Sequence, residues 1–582
     1  MPMNTTAAGP SASKPHTASA GNALRRALPL CLLYALILPV WIYLACQKDL
    51  WFCDEVYSYE SANSGIFYYL NPLDEAGKHL TGQEITDYLS KGEKAFNFIE
   101  IEKYLYPDHV PLYFLLLRVC SLLAYGSASK WIGLSLNLVC YLLTAFLLYV
   151  FFRRFVKNAW GAALLSAAVC LHPILLSEAT IIRMYGMLTA EMLLFAMAAG
   201  PDFFDPETNT NTGPGPADKE ISAKQGPFQP TLLRCFLLSC AAAAGMLTHY
   251  YFWIFVFCCS LVQGLDLLIS KRFRTLGLYI GSMVCALLFT TAGFPLVWKR
   301  TLLSGTNGEK AQGALAALKT PALLPGRIRD AFAAFGSELF RTGPDAQPGF
   351  LAPAVGIVLC LLAGAVLFII RKLIDKTAVR DLALLSVAAL LDLFLIAWAS
   401  QDLAVRYLWG PMILMAVCAL AALGTLLRVF SDALALKGLG KAGTLPVLFA
   451  VLLCAVHLAI SLQPERIDWL RTRTPAEQSV IETVAAGKPW VIFSEDVDWR
   501  LHCSFYDFRL AGDLVRISSA QEESPAGDPA LAAASGIVFY CFADSKDPGD
   551  CIRYLEAASG KKTAKCEQIS HSAFMNVYLV TF

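Results

Sequence analysis

A chain of 582 residues that is 56% hydrophobic, 16% charged and of mean hydropathy +0.52 has the composition of a polytopic membrane protein. Its 47 Lys and Arg residues balance 46 Asp and Glu to a formal net charge of +1, which leaves no basic surplus for a nucleic-acid partner. The basic residues inform through their placement instead.

Residues 1–22 are rich in Ser, Ala, Thr and Pro without an apolar period, so residues 1–26 are expected to be a disordered cytoplasmic tail. Arg25 and Arg26 then precede the uncharged stretch Ala27–Cys46, long enough as a helix to cross about 30 Å of hydrocarbon. No small-residue cleavage site follows, which predicts a retained signal anchor with its N-terminus inside. Asp54-Glu55 lies just beyond it, placing two adjacent carboxylates at the outer membrane surface. Their loop, 47–110, continues with Val56-Tyr57-Ser58-Tyr59 and closes on Tyr106-Pro107-Asp108-His109-Val110-Pro111-Leu112-Tyr113.

Further apolar runs lie near 111–126, 131–151, 160–177, 184–200, 232–248, 251–270, 275–297, 349–370, 382–399, 406–427 and 444–462. Arg153-Arg154-Lys157, Lys271-Arg272-Arg274, Arg371-Lys372, and Arg428 with Lys437 and Lys441 should all be cytoplasmic. They are, if the short 111–126 segment is re-entrant or interfacial. About 11 crossings result, with 12 or 13 as the alternatives. The outer face then holds the 47–110 loop, the junction around Glu178 and Arg183, the turn His249-Tyr250-Tyr251, the loop 298–348, the turn Gln401–Tyr407 and the tail from Pro464. The inner face holds mainly 201–231, with Thr212-Gly213-Pro214-Gly215-Pro216, a flexible connector by composition.

Three regions follow: the tail 1–26, a membrane module 27–463 that includes the outer loop, and an extracytoplasmic domain 464–582. In that domain Trp490–Phe493, Ile537–Phe542 and Val577–Phe582 read as strands between helical stretches near 475–486 and 548–559, an α/β arrangement. No glycine-rich phosphate loop follows a strand, so a structural or acceptor-contact role is expected. Of 18 cysteines, 14 lie in or beside apolar spans as small hydrophobes. Cys503, Cys541, Cys551 and Cys566 remain, with three pairings open, and Cys46 with Cys53 is a further option.

A carboxylate just outside a span can serve as a general base, and two adjacent ones can divide roles. Four more elements accompany Asp54-Glu55: His109-Val110-Pro111-Leu112-Tyr113 opening an apolar segment, Ser177-Glu178-Ala179-Thr180-Ile181-Ile182-Arg183-Met184-Tyr185, the turn Thr248–Tyr251, and Arg406-Tyr407 opening a span. In this order they resemble the GT-C glycosyltransferases of the protein O-mannosyltransferase and lipid A aminoarabinose transferase type, including bacterial relatives that use polyprenyl-phosphate sugars. The resemblance covers about residues 28–462. The chain departs from that pattern in three places. Val110 replaces the first proline of His-Pro-Pro-Leu-Tyr, Lys130-Trp131-Ile132-Gly133 follows Gly126-Ser127-Ala128 where an arginine is common, and no acid follows the Arg-x-Tyr element before Glu191.

The resemblance implies a polytopic α-helical GT-C fold and a plasma-membrane enzyme. It would move a sugar from a polyprenyl-phosphate donor to a lipid, glycan or protein acceptor at the outer face, with inversion expected. Asp54 is then the base, Glu55 supports it or holds the acceptor, and Arg183 and Arg406 contact the phosphate. Tyr185, Tyr407, His109, His249 and Tyr250 line the donor site. A divalent metal is admitted at the leaving phosphate, although no ligand set stands out. The plainer reading of the same residues is snorkelling for the arginines and a membrane belt for the aromatics. Two other classes stay open: a lipid-linked glycan flippase or transporter, to which Asp392 and Glu191 inside apolar stretches would point, and a non-enzymatic scaffold that binds through its outer tail.

Overall fold

The computed structural model describes residues 18–63, 72–90, 105, 109–200, 232–298, 320–339, 364, 376–400, 404–522, 527–542, 547–572 and 574–582. The tail 1–17, Tyr106–Asp108, the connector 201–231, the apolar run 349–370 apart from residue 364, and the turn residues Gln401-Asp402 lie outside these.

Helix α1 (Ala18–Gln47) turns Leu33, Ile37, Val40, Trp41 and Leu44 inward, a three-to-four-residue spacing that makes one buried stripe. The chain then enters α2 (Cys53–Asn63). The acid pair therefore opens a buried helix rather than lying in a surface loop, and two carboxylates in a first turn suit the positive end of the helix dipole. A short strand, β1 (His79–Leu80), and α3 (Gly82–Ser90) follow. Helix α4 (Leu112–Leu123) has 12 residues and reaches only about 18 Å at 1.5 Å per residue.

Helix α5 (Lys130–Val156) is full length. The run predicted as one span at 160–177 is two helices, α6 (Ala159–Cys170) and α7 (Pro173–Thr180), bent by 64°. The break falls just before Pro173, whose ring fits only a first helical turn, and His172 Nδ1 caps the new helix by accepting from the Ile174 N–H at 3.3 Å. Next come α8 (Tyr185–Ala199), α9 (Leu232–Thr248), α10 (Tyr250–Ile269), α11 (Phe273–Gly293), α12 (Leu324–Leu339), α13 (Lys376–Ala399), α14 (Trp409–Leu436) and α15 (Thr444–Ser461). Among the described residues seven helices are long and apolar enough to cross a membrane, or eight with the bent pair, and α4, α8 and α9 are shorter apolar helices. The protein is a multi-pass membrane protein.

Two ends of this bundle differ in charge. Lys130 at the start of α5 donates to the Cys46 carbonyl at the end of α1, which defines the Asp54 end. At the opposite end Arg154 pairs with Asp381 at 2.7 Å and Arg380 pairs with Asp266. The described clusters around Arg153, Lys271 and Lys437 all fall at that opposite end, because α5, α10 and α14 run away from Asp54.

The tail gives five strands, β2 (Pro489–Phe493), β3 (Asp513–Ile517), β4 (Gly536–Phe542), β5 (Lys565–His571) and β6 (Met575–Thr581), of a six-stranded sheet in the order β1-β3-β2-β4-β6-β5. The three central strands are parallel and buried on both faces. Val491, Phe493, Ile537 and Phe539 face the helix Pro548–Ser559, whereas Trp490, Ile492, Val538 and Tyr540 face Phe505 and Phe508. Strand β1 comes from the 47–110 loop and pairs antiparallel with β3, His79 opposite Val515. Arg516 donates to the carbonyls of Leu73 and Asp74, both at 2.7 Å, and so ties loop to tail. Cys541 and Cys551 share one buried cluster with Cys566 against it, while Cys503 meets Cys53 rather than leaving that partner to Cys46.

Candidate active site

Helix starts build the site. Residues 109, 183, 249 and 406 each lie within a few residues of the N-terminus of α4, α8, α10 or α14, and Asp54 is in the first turn of α2. Unpaired N–H groups at helix starts favour negative charge.

Asp54 and Glu55 point apart, as successive helical residues must. Glu55 is wholly buried and ion-paired to Lys48 Nζ at 2.9 Å. Its Oε2 accepts from the Phe52 N–H and its Oε1 from the Ile182 N–H, both at 2.8 Å. Its full valence is spent on fastening the Ile181–Arg183 turn to the start of α2. The Asp54 carboxylate instead lies between two guanidiniums, with Arg183 Nη2 at 3.8 Å from Oδ1 and Arg406 Nη2 at 3.4 Å from Oδ2. Oδ2 accepts no hydrogen bond among the described residues. The acid is thus held by charge and keeps a lone pair for a proton.

Arg183 is fixed by donating through Nη1 to the Asp54 carbonyl at 2.9 Å and to Ser58 Oγ at 3.1 Å, and through Nη2 to His109 Nε2. Its Nε–H has no partner among the described residues. Burial, then the charges of Arg183 and His249, hold the His109 imidazole well below its usual range. A neutral ring can accept at Nε2, which assigns its own hydrogen to Nδ1. Arg406 donates from Nε to the Tyr185 hydroxyl at 3.1 Å and lies over the rings of Tyr407 and Trp469, 5.3 and 5.7 Å from their centroids. His249 stacks on Tyr251 at 4.9 Å and caps α10 by accepting from the Tyr251 N–H at 3.0 Å. Burial first, then Arg183 and Arg406, push it down to about 3.

Asp54, Arg183, Arg406, Tyr185, Tyr407, His109 and His249 therefore converge. Tyr250 does not join them: it packs against the cluster of Val110, Phe294 and Val297. Lys130 is spent on the carbonyls of Cys46 and Lys48. Glu191 accepts from Thr248 Oγ1 at 2.9 Å, while Asp392 is fully buried with neither oxygen hydrogen-bonded among the described residues. Sequence reasoning missed Lys48, Ser58, Glu60 and Trp469. Glu60 is pushed up to about 8, by burial before anything else. Trp469 has φ +62°, sparsely populated for a large residue, and its carbonyl accepts from Lys48 Nζ at 3.4 Å. Nothing in the residues around it announces that position.

Among the described residues no three His, Cys, Asp or Glu side chains form a group that could hold a metal ion. A cavity of about 500 Å³ lies within the bundle, walled by His172, Leu175, Leu390, Met412, Met415 and His457. The acid is not in its wall. Met412 also belongs to the cluster that packs Tyr251 and Tyr407, so the cavity adjoins the aromatic side of the site.

Fold and site together define a multi-pass membrane protein with a buried acid between two arginines at one end of its helix bundle. No protein-family model matches the chain, and no curated protein matches it. Among solved structures it is similar to ArnT from Cupriavidus metallidurans bound to undecaprenyl phosphate, at 11% identity and TM-score 0.49, over 95% of this chain and 98% of that one. The apo form of that protein gives 13% identity and TM-score 0.49, over 96% and 98%. The archaeal oligosaccharyltransferase AglB from Archaeoglobus fulgidus, in complex with an inhibitory peptide and a dolichol-phosphate, gives 10% and 0.41 over 89% and 70%.

Proposed function

We propose that the protein is a GT-C glycosyltransferase that moves a sugar from a polyprenyl-phosphate donor to an acceptor hydroxyl at the outer face of the membrane. One observation carries this reading: the Asp54 carboxylate stands between Arg183 and Arg406 with Oδ2 unbonded among the described residues. With His109 and His249 neutral and Glu55 neutralised by Lys48, two guanidinium charges oppose one carboxylate. The surplus positive charge suits a phosphate diester, and suits better the monoester that forms when the sugar leaves.

In the reaction Asp54 accepts the proton of the acceptor hydroxyl, whose oxygen attacks the anomeric carbon. The bond from that carbon to the phosphate oxygen breaks on the opposite face, which inverts the configuration. Arg183, through its spare Nε–H, and Arg406 receive the departing lipid phosphate. Glu55 does not touch the reacting atoms in this scheme; it positions Asp54 and Arg183 through the turn it fastens. No step is routed through a metal. The apolar cavity suits the isoprenoid chain of the donor. The basic clusters at the far end support an outward-facing Asp54.

The test is direct. Purified protein in lipid vesicles, offered polyprenyl-phosphate sugars one at a time, should release polyprenyl phosphate with one of them. Asp392, buried in α13 without a hydrogen bond among the described residues, favours a second reading, transport of a lipid-linked glycan. That reading gains if Asp392→Asn abolishes function while Asp54→Asn does not.

A further inference from the structure

We infer that Cys53 and Cys503 form a modification site, a disulfide that bolts the helix bearing the proposed base to the outer domain. The sequence offered Cys46 as a partner for Cys53 and grouped Cys503 with Cys541, Cys551 and Cys566; the fold sets Cys53 beside Cys503 instead. Cys53 opens α2 directly before Asp54, and Cys503 directly follows the short helix Trp499–His502. The two are 5% and 1% exposed and share a cluster with Phe52. Their approach is held on both sides. Phe52 lies against Trp499, with ring centroids 6.3 Å apart, and against Trp469 at 4.1 Å. Tyr57 lies against His502 at 4.8 Å, and its hydroxyl is 3.4 Å from His502 Nδ1. Within this frame the Cys503 thiol donates to the Trp499 carbonyl at 3.6 Å. Cys53 lies in the same buried cluster beside it, and that Cys503 neighbour, then burial, push the Cys53 thiol up from its usual range. Cys46, by contrast, is exposed at the end of α1.

Two thiols that share one small buried cluster are in position to be joined, and an oxidising compartment keeps such a bond. The inference rests on the outward orientation proposed above. In the step the two S–H bonds are exchanged for one S–S bond. The oxidant is the disulfide of a dithiol–disulfide exchange protein, which takes up both electrons and both protons and leaves as a dithiol. Because both sulfurs end buried, the exchange occurs while the outer domain is folding. The bond holds α2 against the tail at the residue next to Asp54, adding a covalent link to that packing.

The test uses the full chain from native membranes. Thiols are blocked with iodoacetamide in denaturant without reductant, then reduced and labelled with N-ethylmaleimide, and the peptides are mapped. The expected result is that Cys53 and Cys503 carry only the second label and appear before reduction as one cross-linked peptide. Cys53→Ser should move Cys503 to the first label. In parallel, Lys562→Cys, whose position is 92% exposed, is probed in intact cells with a membrane-impermeant maleimide. If K562C labels from outside while Cys53 and Cys503 both take iodoacetamide, or while either is bonded elsewhere, the disulfide is overturned and the orientation stands. If K562C labels only after permeabilisation, the outward reading falls and the inference falls with it. The readout is taken in denaturant, so a poorly folding variant does not blur it.

Discussion

At the scale of single residues, Asp54 and Glu55 are chemically alike and differ in what surrounds them. Glu55 is wholly buried and satisfied by Lys48 and two backbone N–H groups, so removing its cation leaves a buried charge uncompensated. Lys48→Met should therefore destabilise the protein by about 3–5 kcal/mol, read as a lower thermal midpoint in detergent. Adding Glu55→Gln should recover only part of the loss, because the amide keeps one acceptor for the two N–H groups that Glu55 serves; an unchanged midpoint in the Lys48→Met single variant would contradict this account of Glu55. His249 gives a pH signature. Its ring protonates near 6.5 when unfolded but only at about 3 when folded, so the unfolded chain binds more protons between those values and stability rises with pH. The contribution is complete above about 6.5 and is lost as pH falls toward about 3, with a slope on the order of 1 kcal/mol per pH unit. His249→Asn keeps a cap acceptor for the Tyr251 N–H without titrating, and unfolding measured from pH 7 to pH 4 should show a shallower slope than wild type.

At the scale of elements, the placement of Arg183 depends on how closely α5 approaches the turn before α8. Gly133 permits it: a Cβ there would lie 2.1 Å from Ile182 Cγ2. The Gly133 N–H donates to the Tyr59 hydroxyl at 2.9 Å, which locks α5 to α2 as well. Gly133→Ala forces Ile182 to shift, and Arg183 is the next residue of that turn. An error of about 1 Å costs on the order of 100-fold in rate. Transfer by Gly133→Ala should fall by about 10- to 100-fold, and Ile182→Ala in the same chain should restore much of it. Equal activity in the single variant would show that the turn is not tuned this way. These dependencies explain what the sequence displayed and what it hid. Arg183 and Arg406 were legible because each sits beside a tyrosine at the start of an apolar run. Lys48 was not, since a lysine just past a span reads as snorkelling, and only the fold reveals that it is buried with Glu55. The α6–α7 break was hidden because hydropathy continues across His172-Pro173. Strand β3 was hidden because its Arg516 looks exposed until the loop carbonyls that cover it are known.

At the scale of the molecule, tail and membrane module are one working unit. Trp469, from the tail, lies beneath Arg406 and accepts from Lys48. Arg473 holds Asp507 in a buried pair at 2.6 Å while its N–H donates to Asp49 at 3.0 Å. A chain ending at Gln463 should accordingly lose transfer, even with the tail supplied separately, whereas retained transfer would make the tail an accessory. Strands between helices in the tail were legible from its apolar runs, but its entanglement with loop 47–110 was not, because β1 is two residues long and has no pattern to read.

In the proposed reaction Asp54 is the proton acceptor on which transfer depends. The most direct measurement compares wild type with Asp54→Asn in vesicles, following polyprenyl-phosphate release and donor binding together. Loss of a general base costs about 100- to 10,000-fold, and the arginines that hold the phosphate remain, so release should fall by at least about 100-fold while donor binding persists. Release at the wild-type rate would contradict the central claim.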